Sequence, residues 1–106
     1  MTPEITCAEL KQKLDNQDEI VIIDVREDYE RDISTIEGSI HIPLAELQDR
    51  LDELNKDQAY ILQCRSGGRS ASATQILKAE GFKDVKNLIG GINEWARSID
   101  KALQVY

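Results

Sequence analysis

The stretch Gln63-Cys64-Arg65-Ser66-Gly67-Gly68-Arg69-Ser70 constrains the fold more than any other. The apolar run Tyr60-Ile61-Leu62 leads into it, and a helical pattern of small residues leaves it at Ser70. A buried strand that ends in a glycine turn and opens into a helix is a unit of α/β layer folds. It also gathers backbone N–H groups and the positive end of a helix dipole around one point, which suits an anion. A cysteine at the mouth of that cradle should ionise easily, because its thiolate is the anion being stabilised.

The rest of the chain reads as more of the same layers. Thr6-Cys7-Ala8-Glu9 is a capping box, opening a helix with Cys7, Leu10 and Leu14 on one stripe. That stripe makes Cys7 a small core residue. Ile20-Val21-Ile22-Ile23 is short and β-branched, as in a strand buried on both faces of a parallel sheet. Asp24 and Arg26 follow at its carboxyl end, where open α/β sheets place their sites. They either brace the loops or meet substrate. Residues 28–33 read as a short, mostly exposed helix, and Ser39–Ile42 as a short strand. His41 has no second histidine or cysteine near it and reads as a packed or rim residue. Pro43 suits the first turn of a helix with Leu44, Leu47, Leu51 and Leu54 on one face.

Past the cysteine, Ala73, Ile76 and Leu77 form the buried face of a helix. Gly81 is its natural end, with Phe82 in the apolar position of a Schellman motif. Val85–Ile89 is a strand, and Gly90-Gly91 bends the chain into a last helix striped by Ile92, Trp95, Ala96 and Ile99. Strands alternating with helices predict an α/β fold with a mainly parallel sheet, a single domain over residues 1–106. Asp24, Cys64 and Gly90 then arrive at one sheet edge, with Gly91 bordering the site.

Net charge is −7, from 20 acidic and 13 basic residues, which argues against nucleic acid and anionic membrane surfaces as partners. On so acidic a chain, Arg65 and Arg69 form a local cationic spot. There is neither a long apolar run nor a basic-then-apolar leader, so a cytoplasmic location is expected. Two cysteines and one histidine are too few for a structural zinc site without carboxylates. A Cys7–Cys64 disulfide is disfavoured in that compartment.

Spacing separates two chemistries open to Cys64. Cysteine phosphatases need Cys-x5-Arg, a loop wide enough for a phosphoryl group. Here the arginine at 69 gives Cys-x4-Arg, one residue shorter. The tighter loop suits a single extra sulfur on the cysteine. Arg65 and Arg69 can hold a divalent oxyanion, favour the thiolate, or both. The amides from Arg65 to Ser70, with the curl allowed by Gly67 and Gly68, can point at one centre.

The chain resembles the rhodanese family of sulfurtransferases. The likeness runs through Ile22–Glu27, Ile36–Leu44, Cys64–Ser70 and Leu88–Trp95, nearly the whole chain in order. The segment from Gly90 to Tyr106 is also similar to rhodanese domains fused to adenylyltransferases of sulfur-carrier pathways. The resemblance implies a five-stranded, mainly parallel sheet flanked by helices on both faces, with Cys64 catalytic at the head of the loop. It implies that Arg65, Ser66, Gly67, Gly68, Arg69 and Ser70 bind substrate, supported by Asp24, Arg26, Gly90 and Gly91. The implied reaction moves a sulfane sulfur from thiosulfate or a persulfide donor to cyanide or a thiol acceptor through a Cys64 persulfide. The alternative is a non-enzymatic module relaying persulfide sulfur between proteins. No metal or organic cofactor is implied. The implied partners are a small anionic sulfur donor and a protein thiol or sulfur carrier, and a monomer is expected. Many members have histidine where this chain has Thr35, a change expected to affect packing rather than reaction.

Overall fold

The computed structural model describes residues 2–106. Five strands form one sheet in the order β1-β5-β4-β2-β3: β1 (Glu4–Ile5), β2 (Ile20–Asp24), β3 (Ile40–His41), β4 (Ala59–Gln63) and β5 (Asp84–Leu88). Every neighbouring pair is parallel. The central pair is in full register, from Ile20 against Ala59 to Asp24 against Gln63.

The pleat sends successive residues to opposite faces, which divides the core in two. On one side Ile23, Tyr60, Leu62 and Val85 pack with Leu47, Ala73, Leu77 and Phe82. On the other Ile5, Ile22, Ile61 and Leu88 pack with Leu10, Ile92 and Trp95. Thus α3 (Leu44–Leu47) and α4 (Gly68–Ala79) cover one face, and α1 (Cys7–Asp15) and α5 (Gly91–Ser98) the other. Each fully buried leucine or isoleucine in these layers contributes roughly 1.5–3 kcal/mol from the area it removes from water. Among the described residues, no helix is long and apolar enough to cross a membrane.

Local signals behave as their chemistry dictates. The Thr6–Glu9 capping box closes in both directions. At the end of α4, Phe82 N–H reaches the Leu77 carbonyl and Gly81 N–H the Lys78 carbonyl, the paired bonds of a Schellman turn.

Four expectations change. The strand β1 escapes sequence pattern, because two residues carry no period; pairing with β5 makes it a strand. The leucine-striped segment after Pro43 is not one helix. Pro43 stands before the first helical residue, α3 ends at Leu47, and tighter 3-10 turns over Gln48–Glu53 follow, with a kink at Arg50. The leucines reach the core regardless, since turns of three residues also bring i and i+3 together. The helix α4 starts at Gly68 rather than Ser70, because Gly67 caps it without a side chain. Finally, α2 (Asp28–Ile33) buries Glu30, which is 2% exposed.

Candidate active site

Cys64 follows the last residue of β4, at the carboxyl edge of the sheet, and is itself buried. The chain turns at Gly67, whose φ of +117° lies where side chains are strained. That turn aims the Gly67 N–H at the Cys64 sulfur, 3.1 Å away. Ser70, in the first turn of α4, is fully buried, and its hydroxyl oxygen lies 3.2 Å from the same sulfur. Thr74 donates to the Ser70 carbonyl at 2.8 Å and ties that turn down.

Asn87 on β5 fixes the geometry from below. Its Nδ2 donates to the Gly67 carbonyl at 3.1 Å, which leaves Oδ1 facing the Ser70 hydroxyl at 2.5 Å. A hydroxyl has one proton for two acceptors. While Cys64 is a thiol, Ser70 donates to Asn87 and can accept from S–H. Once the thiolate forms, the same proton is the nearest side-chain donor to the sulfur. Burial pushes the Cys64 thiol up. The Ser70 hydroxyl and the N–H groups of Ser70, Gly67 and Ser66 outweigh it and bring the thiol below its ordinary value. These hydrogen bonds, more than the arginines, hold the thiolate.

The N-terminus of α5 locks the other side of the loop. Ile92 N–H donates to the Cys64 carbonyl at 2.9 Å and Asn93 N–H to the Arg65 carbonyl at 3.2 Å. Such an approach needs glycine at 91: a Cβ there would lie 2.5 Å from the Arg65 oxygen and 2.6 Å from the Cys64 oxygen. Gly90 and Gly91 thus lie against the cysteine loop.

Asp24 and Arg26 stand one layer out. Both are fully buried and paired, Arg26 Nε and Nη2 reaching the two Asp24 oxygens at 2.9 and 2.8 Å. Arg31 joins the same carboxylate at 3.0 Å. Arg26 spends its remaining N–H groups on the carbonyls of Ser34 (2.7 Å) and Glu30 (3.2 Å) and on the Tyr106 hydroxyl (2.9 Å). It therefore braces α2, and neither residue bonds to the sulfur. His41 donates its Nε2–H to the Arg26 carbonyl at 2.7 Å. Thr35 donates to the Arg31 carbonyl, a packing contact.

The loop arginines are both engaged. Arg69 forms a bidentate pair with Glu30 at 2.6 and 2.8 Å. That pair holds the Glu30 carboxyl down at about 2 and moves the Arg69 guanidinium upward. Arg65 lies over the Tyr106 ring, 4.8 Å from its centre, and makes no ion pair among the described residues. Cys7 belongs to the core of the opposite face, where burial and the Glu94 charge push its thiol up to about 11. Both cysteines are free.

Sequence reasoning missed Asn87, Glu30, Asn93 and Tyr106. Asn87 left a trace, as a polar residue inside the run Val85–Ile89. The others left none, because their partners lie 13 to 80 residues away.

A family model described as "Rhodanese-like domain" matches residues 6–98. YrkF of Bacillus subtilis, which bears a sulfur-carrier name, is 41% identical over 93 residues, covering 88% of this chain and 50% of its own length. YtwF of the same organism bears a sulfurtransferase name and is 39% identical over 92 residues, 87% of this chain and 88% of its own. MoeZ of Mycobacterium tuberculosis, named for adenylyltransferase and sulfurtransferase activities, is 38% identical over 104 residues, 96% of this chain and 26% of its own. The chain thus spans half of the first relative and about a quarter of the last. A rhodanese-like domain protein from Staphylococcus aureus superposes with a TM-score of 0.85 at 34% identity, over 99% of both chains.

Proposed function

Because the chain belongs to the rhodanese-like domain family, we propose that Cys64 carries a sulfane sulfur as a persulfide and passes it to a thiol or cyanide acceptor. The observation that carries this reading is the ring of donors around one buried sulfur: the Gly67 N–H at 3.1 Å and the Ser70 hydroxyl at 3.2 Å, with the Ser66 and Ser70 amides behind them. Such a ring favours the thiolate without a partner base, and no histidine bonds to the sulfur.

In the first half-reaction the Cys64 thiolate attacks the outer sulfur of the donor. A new S–S bond forms, the donor's own S–S bond breaks, and its electron pair leaves on sulfite when the donor is thiosulfate. In the second, the acceptor attacks the outer sulfur of the persulfide and returns Cys64 as thiolate. Arg65 and the loop amides are the groups placed to meet the incoming anion.

Intact-protein mass spectrometry tests the cycle. Thiosulfate or a persulfide donor should add one sulfur mass, cyanide should remove it, and Cys64→Ser should gain nothing. Sulfur on Cys64→Ser would overturn the assignment. A relay between proteins is the second reading, favoured by the sulfur-carrier name of YrkF. Fast loading from a protein persulfide beside slow loading from thiosulfate would select it.

A further inference from the structure

Two cations border the cysteine loop, but one is already answered. Glu30 takes both terminal nitrogens of Arg69, at 2.6 and 2.8 Å. The same carboxylate accepts the Glu27 N–H at 2.9 Å and the Tyr106 hydroxyl at 2.5 Å. Four donors on a buried carboxylate leave it charged and leave the arginine no reason to let go. Tyr106 is fixed in turn. Asn93 accepts its N–H at 3.1 Å and donates to its carbonyl at 2.9 Å, and Arg26 donates to its hydroxyl. Its ring supports Arg65, which has no carboxylate partner among the described residues.

We infer that Glu30, held by Tyr106, selects the charge of the sulfur donor: by cancelling Arg69 it leaves Arg65 as the one cation of the loop with no carboxylate partner among the described residues, so Cys64 takes a monoanionic sulfane-sulfur donor, an organic thiosulfonate or persulfide, over the thiosulfate dianion. This rests on the reading of Cys64 as a persulfide carrier. With a thiosulfonate, the thiolate attacks the outer sulfur, the Cys64 S–S bond forms, and the donor's S–S bond breaks with its electron pair leaving on the sulfinate. With a persulfide the pair leaves on a thiolate. Charge is conserved in both. One cation beside an already negative sulfur attracts a monoanion without the added repulsion that a second negative charge meets.

The test compares loading of Cys64 by methanethiosulfonate and by thiosulfate, read by mass at single turnover. Glu30→Gln keeps the shape and removes the charge, so Arg69 becomes a second free cation. Thiosulfate loading should rise about tenfold relative to methanethiosulfonate, because the added charge acts twice as strongly on a dianion. Glu30→Asp keeps the charge and should keep the native ratio. A ratio unchanged or lowered in Glu30→Gln overturns the inference, as does an equal shift in both variants. Should Glu30→Gln fail to fold, salt decides on the native protein. Raising it from about 20 to 200 mM should slow thiosulfate loading less than about threefold. A loss above that limit, expected of two free cations attracting a dianion, overturns the inference. If neither donor loads Cys64, the persulfide reading falls first and this inference with it. If both load and the ratio does not move, only the inference falls.

Discussion

The Ser70 hydroxyl lies 3.2 Å from the Cys64 sulfur while also facing Asn87, so one proton is shared between the sulfur and the Asn87 oxygen. Ser70→Ala removes that donor and leaves the amides alone against burial. The Cys64 thiol then moves up, since less opposes its desolvation. The reactive thiolate exists above the thiol's midpoint and is lost as pH falls through it. The acid limb of the pH–rate profile should therefore shift to higher pH, with loading at neutral pH slowed about tenfold. Thiolate absorbance against pH checks the same shift, and an unmoved limb would assign the stabilisation to the amides alone.

Gly67 and Gly68 are adjacent and should respond in opposite ways. Gly67 sits at φ +117° with only ordinary contacts around a built Cβ, so Gly67→Ala suffers from backbone strain, about 1–2 kcal/mol. Its N–H also swings off the sulfur. Gly68 has open space and lies in α4, where alanine is the better helix former. Gly68→Ala should leave stability unchanged or raise it by up to ~1 kcal/mol, read as an equal or higher melting temperature. Thermal melts of the two variants compare them directly.

Gly91 meets a harder limit. A Cβ would press on the Arg65 and Cys64 carbonyls at 2.5 and 2.6 Å, and both are backbone atoms with nowhere to rotate. Gly91→Ala should destabilise the fold by about 2–4 kcal/mol. The Ile92 amide, bonded to the Cys64 carbonyl, should lose hydrogen-exchange protection first. A urea midpoint equal to the native one would refute the packing argument.

Acid should reach the loop through Glu30. Its carboxyl titrates at about 2 in the fold, depressed first by Arg69, against an ordinary value of 4.5. A depressed carboxyl stabilises above its unfolded value and loses that contribution as pH falls from about 4.5 toward 2. Arg69 is 37% exposed at its side chain, so solvent screening reduces the contribution to about 2 kcal/mol. Stability measured by urea across this window should fall less steeply in Glu30→Gln than in the native protein.

Particular residues show where sequence reading stops. The capping box at Thr6, the Schellman turn at Gly81 and the apolar run at Ile20–Ile23 are short-range, and each is written where it acts. The cysteine loop is equally local: strand, thiol, glycine turn and helix follow within one stretch. The two-residue β1 has no such signature, and neither does the break after Leu47, where the leucine stripe suits an α-helix and a 3-10 turn alike.

Arg69 marks the same boundary within the site. Counting from Cys64 places it at the end of the loop, and its type suggests anion binding. Only the fold brings up Glu30 from 39 residues away and Tyr106 from beyond α5, turning a free cation into half of a part-buried pair. The sequence alone determined the layers, the parallel sheet and the place of the cysteine loop, because hydrophobic period, turn chemistry and loop spacing are properties of neighbouring residues. The tertiary structure decided what surrounds the sulfur: Asn87 under Ser70, Gly91 against the loop carbonyls, Glu30 on Arg69. Those contacts depend on which strand lies beside which, and sheet order is a property of the packed chain rather than of any stretch of it.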